Sequence, residues 1–142
     1  MRSATVRFYF DADILGLAKL LTTVRSDVTY PGDPGGTVHK RIRPACPIKG
    51  VDVPDAIWIP EGARNSGLIV TRDSRIQSHR LEIEAVRSNA ACMVALAGAE
   101  ARTTWAQLEI VMCQWRSIER CLDEPGPFIY NATRTRLQRV PL

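Results

Sequence analysis

Short, continuous apolar runs are the features that most constrain how this chain folds. "RFYF" ends at residue 10, "LIVT" covers residues 68–71, and "CMVALAG" begins at residue 92. Uninterrupted apolar runs of this length are typical of strands buried on both faces of a parallel sheet. Segments with helical spacing separate the runs, as the crossovers between parallel strands require. The sequence therefore predicts an α/β fold, with a mostly parallel central sheet of about five strands flanked by helices.

The clearest predicted helix begins within "TTWAQLE", in which Thr104 is the expected N-cap and Gln107 completes a capping box. Apolar side chains then recur at helical spacing and predict a buried stripe, which includes the tryptophans. The C-terminal segment "FIYNATRTRLQRV" is expected to form one final strand. The stripe consists of Trp105, Leu108, Val111, Met112, Trp115, Ile118 and Leu122.

A length of 142 residues fits one domain covering residues 1–142. Residues 31–51 carry several basic residues and prolines and are expected to be a mobile basic loop, and residues 132–142 a basic C-terminal tail. The formal net charge of +4 favours a polyanionic or acidic partner. We find no apolar stretch near the roughly 20 residues of a membrane span and no signal peptide. A soluble, cytoplasmic protein without membrane contact is the expectation.

Aspartates stand where predicted strands end or predicted helices begin. Asp11 directly follows the first strand, and Asp73 follows "LIVT" by two residues. If these strands are parallel neighbours, both carboxylates meet at the carboxyl edge of the sheet, where ligands bind in such folds. Asp13 and Asp55 begin helices that could point toward the same edge. An aspartate before a helix is also a common N-cap, so each acid has a purely structural alternative.

Clustered carboxylates repel one another, and a hard divalent cation commonly offsets that repulsion. Mg²⁺ or Mn²⁺ prefers oxygen ligands and suits a site of several acids without His or Cys. Such an ion polarises a phosphodiester and lowers the pKa of bound water. Hydrolysis of a phosphodiester is therefore the chemistry that this set of acids favours.

The segments "FYFDADILGLAKLL", "VPDAIWIPEGARNSGLIVTRDSRI" and "GPFIYNATRTRLQRV" together resemble the PIN-like nuclease domains, particularly the VapC-type toxins of bacterial toxin–antitoxin pairs. The resemblance covers the chain from about residue 6 onward and is most specific in the block "PDAIWIPEGA" to "LIVTRD". It implies a metal-dependent endoribonuclease that a cognate antitoxin protein holds in check, and a homodimer is possible.

Carried over from the resemblance, the catalytic and metal-binding acids would be Asp11, Asp55 and Asp73. The sequence departs from the common pattern after "CMVALAG", where Glu100 is the only acid near the expected fourth position. Either Asp13 completes the metal site, or the site is reduced.

Two other function classes remain open. The D-x-D of Asp11 and Asp13 also fits a phosphatase of the haloacid dehalogenase class, with Asp11 as nucleophile. The later lysine of that class is missing, because Lys19, Lys40 and Lys49 all precede "LIVT". A non-catalytic PIN-like interaction protein is the other alternative.

Basic residues near the acids could neutralise RNA phosphates. The weak candidates for RNA binding lie in the expected loop and beside Asp73. A solvated basic surface, or a docking face for an acidic antitoxin, is the alternative. The candidates are Lys40, Arg41, Arg43, Arg72 and Arg75.

Overall fold

The computed structural model describes residues 2–50, 53–65, 67–72 and 80–142. Its helices are α1 (Leu15–Leu21), α2 (Asp55–Asn65), α3 (Arg80–Ser88) and α4 (Thr104–Cys121), with 3-10 turns at Ala12–Ile14 and Ala99–Arg102. Its strands are β1 (Arg2–Ser3), β2 (Phe8–Phe10), β3 (Val28–Thr29), β4 (Gly36–Val38), β5 (Arg41–Arg43), β6 (Leu68–Thr71), β7 (Cys92–Leu96), β8 (Phe128–Ala132) and β9 (Leu137–Val140).

The central sheet has six strands in the order β3-β2-β6-β7-β8-β9. Every neighbouring pair is parallel except β8 and β9, which are antiparallel. The apolar runs form the middle of the sheet, where Phe10 pairs with Val70 and Val70 pairs with Val94. The predicted α/β class with a mostly parallel sheet is confirmed, with one strand more than expected.

Each face of the sheet carries its own apolar core. Phe8 and Phe10 face the side where Leu17 of α1 and Ile110 of α4 are buried. Tyr9, between them in β2, faces the opposite core with Trp58 of α2. Because side chains alternate along a strand, an all-apolar run such as β2 supplies both cores at once.

Within the predicted loop, residues 31–50 are described, and they are more ordered than expected. Strands β4 and β5 form an antiparallel hairpin, and β5 also pairs in parallel with β1. The two turn residues, His39 and Lys40, have φ values of 50° and 62°. Positive φ at both turn positions suits the twist of a two-residue hairpin, but it is uncommon for residues other than Gly, Asn and Asp. This turn therefore carries no strong signal in the sequence.

A buried ion pair joins this hairpin segment to the edge of the central sheet. Arg43 is 6% exposed and pairs with Asp33, which is 1% exposed. Arg43 also donates to the carbonyl of Val28 in β3 at 3.1 Å, and Thr29 donates to Asp33 at 3.1 Å. The Gly35 backbone N–H donates to the same carboxylate at 2.8 Å. Charge and hydrogen bonds thus hold residues 33–43 against β3.

The C-terminal segment forms two strands instead of one. Strands β8 and β9 pair antiparallel, with Ile129 opposite Val140. Residues 132–142 are therefore not a free basic tail, because β9 completes the sheet and Arg139 lies 3.4 Å from Glu124.

Helix α4 begins one residue earlier than predicted, and its inward face contains only part of the predicted stripe. Val111 and Ile118 are buried, and Leu108, Trp115 and Leu122 pack against the core, as predicted. Thr103 is the N-cap, and its side chain accepts the N–H of Ala106 at 3.1 Å. The prediction that Trp105 and Met112 belong to the core is wrong, because they are 73% and 68% exposed.

Two glutamines lie on the inward face of α4, at positions outside the predicted stripe. Gln107 and Gln114 are buried and donate to the carbonyls of Ala101 and Thr133, both at 3.0 Å. A buried amide is tolerated when a backbone carbonyl accepts its hydrogen bond.

Among the residues that the structure describes, no helix has the length and hydropathy that a membrane crossing requires.

We predict that Asp33→Asn lowers the free energy of unfolding by about 3–5 kcal/mol, because it leaves the Arg43 charge buried without its counterion. The measurement is urea unfolding at neutral pH. Glu84→Gln is the matched control, because it removes one member of an exposed pair with Arg87 and should change stability by no more than about 0.5 kcal/mol. Equal stabilities of the two variants would contradict this prediction.

Candidate metal centre

The carboxyl edges of β2 and β6 form the base of the site. The two strands are parallel neighbours, and the backbone N–H of Asp11 donates to the carbonyl of Val70 at 2.9 Å. This bond extends the ladder one residue beyond β2, so Asp11 stands beside Thr71, the last residue of β6. The expectation that "RFYF" and "LIVT" end at one edge is confirmed.

Asp11 is held by hydrogen bonds to both carboxylate oxygens. Its Oδ1 accepts the N–H of Ala12 at 2.6 Å and caps the 3-10 turn that follows. Its Oδ2 accepts the hydroxyl of Thr71 at 3.1 Å. Asp11 as a whole is only 8% exposed. Asp11 is therefore a cap and, at the same time, a fixed carboxylate at the ligand-binding edge.

Asp13 approaches the same threonine from the exposed side. Its Oδ2 lies 3.4 Å from the Thr71 hydroxyl, and the Arg72 backbone N–H donates to its two oxygens at 3.3 and 3.4 Å. A hydroxyl carries one proton and donates to one acceptor at a time. The Thr71 hydroxyl therefore lies between the two carboxylates, 3.1 Å from Asp11 and 3.4 Å from Asp13.

Thr71 is the site residue that sequence reasoning missed for a metal centre. It is fully buried and ends an apolar strand. The only signal was its place in "LIVT" immediately before the loop that carries Asp73. This hydroxyl can be assigned to the site only when β6 is known to lie beside β2.

The side chains of the other predicted acids lie outside what the structure describes. Helix α2 begins at Asp55, whose side chain is not described. Asp73 and Arg75 fall within residues 73–79 and lie outside the described residues. Within the described ranges, no group of three or more His, Cys, Asp or Glu side chains could hold a metal ion.

The basic residues divide into exposed and buried ones. Lys40 and Arg41 are exposed on the β4–β5 hairpin, and Arg72 is half-buried beside Asp13. Arg43 does not fit the expected role in RNA binding, because its guanidinium is buried against Asp33.

An aromatic pair lies next to Asp11 on one side of the sheet. Tyr9 stacks on Trp58 with 5.6 Å between ring centroids. Both residues line a small recess that also contains Asp11, Pro31 and Ile48. Burial raises the pKa of Tyr9, and the negative charge of Asp11 raises that pKa further. The phenol is therefore a neutral neighbour of the carboxylates.

The described donor set fits a hard divalent cation. Asp11, Asp13 and Thr71 present only oxygen atoms, the ligand type that Mg²⁺ and Mn²⁺ prefer. Backbone N–H groups and a hydroxyl are among the groups that orient the carboxylates. The residues present can therefore contribute two anionic ligands from one edge of the sheet.

The profile of the PIN-like domain family matches residues 6–98, about two thirds of the chain. The chain therefore belongs to the PIN-like domain family. This family has a nuclease-type fold, and PIN domains are generally nucleases that use divalent metal ions. No curated protein and no solved structure is significantly similar to the chain.

We predict that Thr71→Val lowers the free energy of unfolding by about 1.5–3 kcal/mol in metal-free buffer, the usual worth of a hydrogen bond to a charged group. Valine keeps the shape of threonine but leaves Asp11 and Asp13 facing each other without the shared donor. Thr71→Ser keeps the hydroxyl and should recover at least half of the loss in urea unfolding. A Thr71→Val variant as stable as the wild type would contradict the role assigned to the hydroxyl.

Proposed function

We propose that this PIN-like domain is a Mg²⁺- or Mn²⁺-dependent endoribonuclease that hydrolyses RNA phosphodiesters and acts as the toxin of a type II toxin–antitoxin pair. The observation that carries the proposal is the convergence of Asp11 and Asp13 on the Thr71 hydroxyl at the carboxyl edge of the sheet. Two fixed carboxylates at this edge, in a family with a nuclease-type fold, favour metal-dependent hydrolysis over a purely structural role.

In this proposal, Asp11, Asp55 and Asp73 are the catalytic acids, and Asp13 joins them as a metal ligand. The start of α2 at Asp55 is compatible with that role. Asp73 follows Thr71 by two residues, so its place in the chain supports including it. A bound divalent ion supplies polarisation of the phosphodiester and a lower pKa for water.

The chain's own groups orient the reaction and bind the substrate. The N–H of Ala12 and the hydroxyl of Thr71 fix Asp11 in one orientation. Lys40, Arg41 and Arg72 offer positive charge to RNA phosphates, with Arg75 a further candidate. Arg43 is left out because it is paired inside the protein.

The proposed biological role rests on the family and on charge. A ribonuclease toxin requires a cognate antitoxin, and the net charge of +4 favours an acidic partner surface. A cytoplasmic location and a possible homodimer belong to the same proposal.

Cleavage of a mixed RNA pool tests the proposed chemistry. Wild-type protein should cut RNA with Mg²⁺ or Mn²⁺, and EDTA should stop the reaction. We predict that Asp11→Asn reduces the cleavage rate at least about 100-fold, a loss typical of disturbed metal sites, while the circular dichroism spectrum stays unchanged. Asp123→Asn is the matched control, because Asp123 is exposed after α4, and it should cut at the wild-type rate.

Two results would overturn the proposal. Equal cleavage by Asp11→Asn and wild type would remove Asp11 from the chemistry. Inactivity on RNA combined with hydrolysis of a small phosphomonoester would assign Asp11 and Asp13 to the phosphatase alternative instead.

A further inference from the structure

An apolar cavity of about 250 Å³ lies on the Tyr9 side of the sheet. Its inner wall includes the buried residues Tyr9, Thr29 and Cys46. Pro44, Ala45 and Pro47 are exposed and form its mouth. The described residues that line it are Val6, Tyr9, Thr29, Pro44, Ala45, Cys46, Pro47, Ile48 and Gly62.

This cavity shares a wall with the acidic edge. Tyr9 and Ile48 line both the cavity and the recess that contains Asp11. A ligand in the cavity is therefore separated from the carboxylates by one layer of side chains. Binding pockets are typically apolar with a few placed polar groups, and the lining residues Tyr9, Thr29 and Cys46 have polar side-chain atoms here. The Thr29 hydroxyl donates to Asp33 and so keeps only its acceptor capacity.

The rim of the cavity carries positive charge. Lys49 is exposed and directly follows Ile48. Burial raises the pKa of the Cys46 thiol, and the charges of Asp33 and Lys49 act on it in opposite directions. Asp33 is paired with Arg43, so the exposed ammonium of Lys49, next in the chain to the lining residue Ile48, is the charge that a ligand can contact. An apolar interior beside a cationic group suits a ligand with a flat apolar part and an attached anion.

We propose that this cavity is a nucleobase subsite, which holds one base of the RNA substrate while Lys49 contacts an adjacent phosphate. The inference rests on the proposed ribonuclease function and adds a source of base preference to it. A volume of about 250 Å³ is slightly below the roughly 300 Å³ at which pockets for drug-sized ligands begin. The cavity therefore accommodates one ring system and leaves the sugar and phosphate outside.

The segment that forms the mouth is fixed to the protein, which makes a selective pocket feasible. The backbone N–H of Cys46 donates to the carbonyl of Asp33 at 2.9 Å, and the N–H of Gly32 donates to the carbonyl of Ile48 at 2.8 Å. Asp33 is itself held by Arg43. A preformed wall reduces the ordering cost of binding a small ligand.

Titration with single nucleotides, followed by amide NMR in EDTA, tests the subsite without requiring catalysis. The probes are AMP, CMP, GMP and UMP, with ribose 5-phosphate as the ligand that lacks a base. We expect at least one nucleotide to shift the amide signals of Thr29, Cys46 and Ile48, and ribose 5-phosphate to leave them in place. Lys49→Gln should weaken binding of all four nucleotides.

A pair of tryptophan substitutions provides the matched variants. Ala45→Trp fills the mouth from an exposed position and should weaken nucleotide binding at least about tenfold. Cys113→Trp adds the same bulk to an exposed position on α4, on the other face of the sheet, and should bind like wild type. Thermal unfolding of both variants checks that they fold.

Three results would overturn the subsite. The first is equal shifts with ribose 5-phosphate and the nucleotides, which would indicate phosphate binding alone. The second is unchanged nucleotide binding by Ala45→Trp. The third is that no nucleotide shifts these amide signals, even if an acidic apolar peptide shifts them. If nucleotides bind but RNA is not cut, the subsite is supported and the ribonuclease proposal fails. If RNA is cut but no nucleotide binds, the ribonuclease proposal is supported and the subsite fails.

Discussion

The parallel pairing of β2 with β6 is the constraint on which the candidate site depends. It aligns Phe10 with Val70 and brings Asp11 beside Thr71, although sixty positions separate these two residues in the chain. Both strands are apolar on both faces, so a register slip would keep them buried while moving the polar residues that follow them. The backbone bond from Asp11 to Val70 and the side-chain bond from Thr71 to Asp11 together specify the observed register.

The buried Asp33–Arg43 pair gives the segment after β3 a fixed place next to that edge. The residues that follow the hairpin, 44–48, form a wall over Tyr9, and the pair fixes the hairpin from which they continue. A buried ion pair is weak evidence for net stability, because desolvation opposes the attraction. Its value here is positional, since it connects a basic, proline-rich segment to the sheet and encloses the space beside Asp11.

The sequence predicts the features that depend on local pattern. Short apolar runs identified the inner strands and the edge where Asp11 lies, because few other structures bury such runs on both sides. Features that depend on distant partners were missed: the hairpin turn at His39 and Lys40 has no glycine, and the Arg43 partner lies ten residues upstream. Trp105 was misplaced because buried Gln107 and Gln114 share the inward face of α4 with apolar residues of the predicted stripe, through hydrogen bonds that no hydropathy pattern reveals.

The central claim, that Asp11 belongs to a divalent metal site, is tested most directly by titrating Mn²⁺ into the metal-free protein in a calorimeter. We expect saturable binding by the wild type and by Asp123→Asn, and binding at least about tenfold weaker by Asp11→Asn. Equal affinity of Asp11→Asn and wild type for Mn²⁺ would show that Asp11 is not a metal ligand, whatever the protein does to RNA.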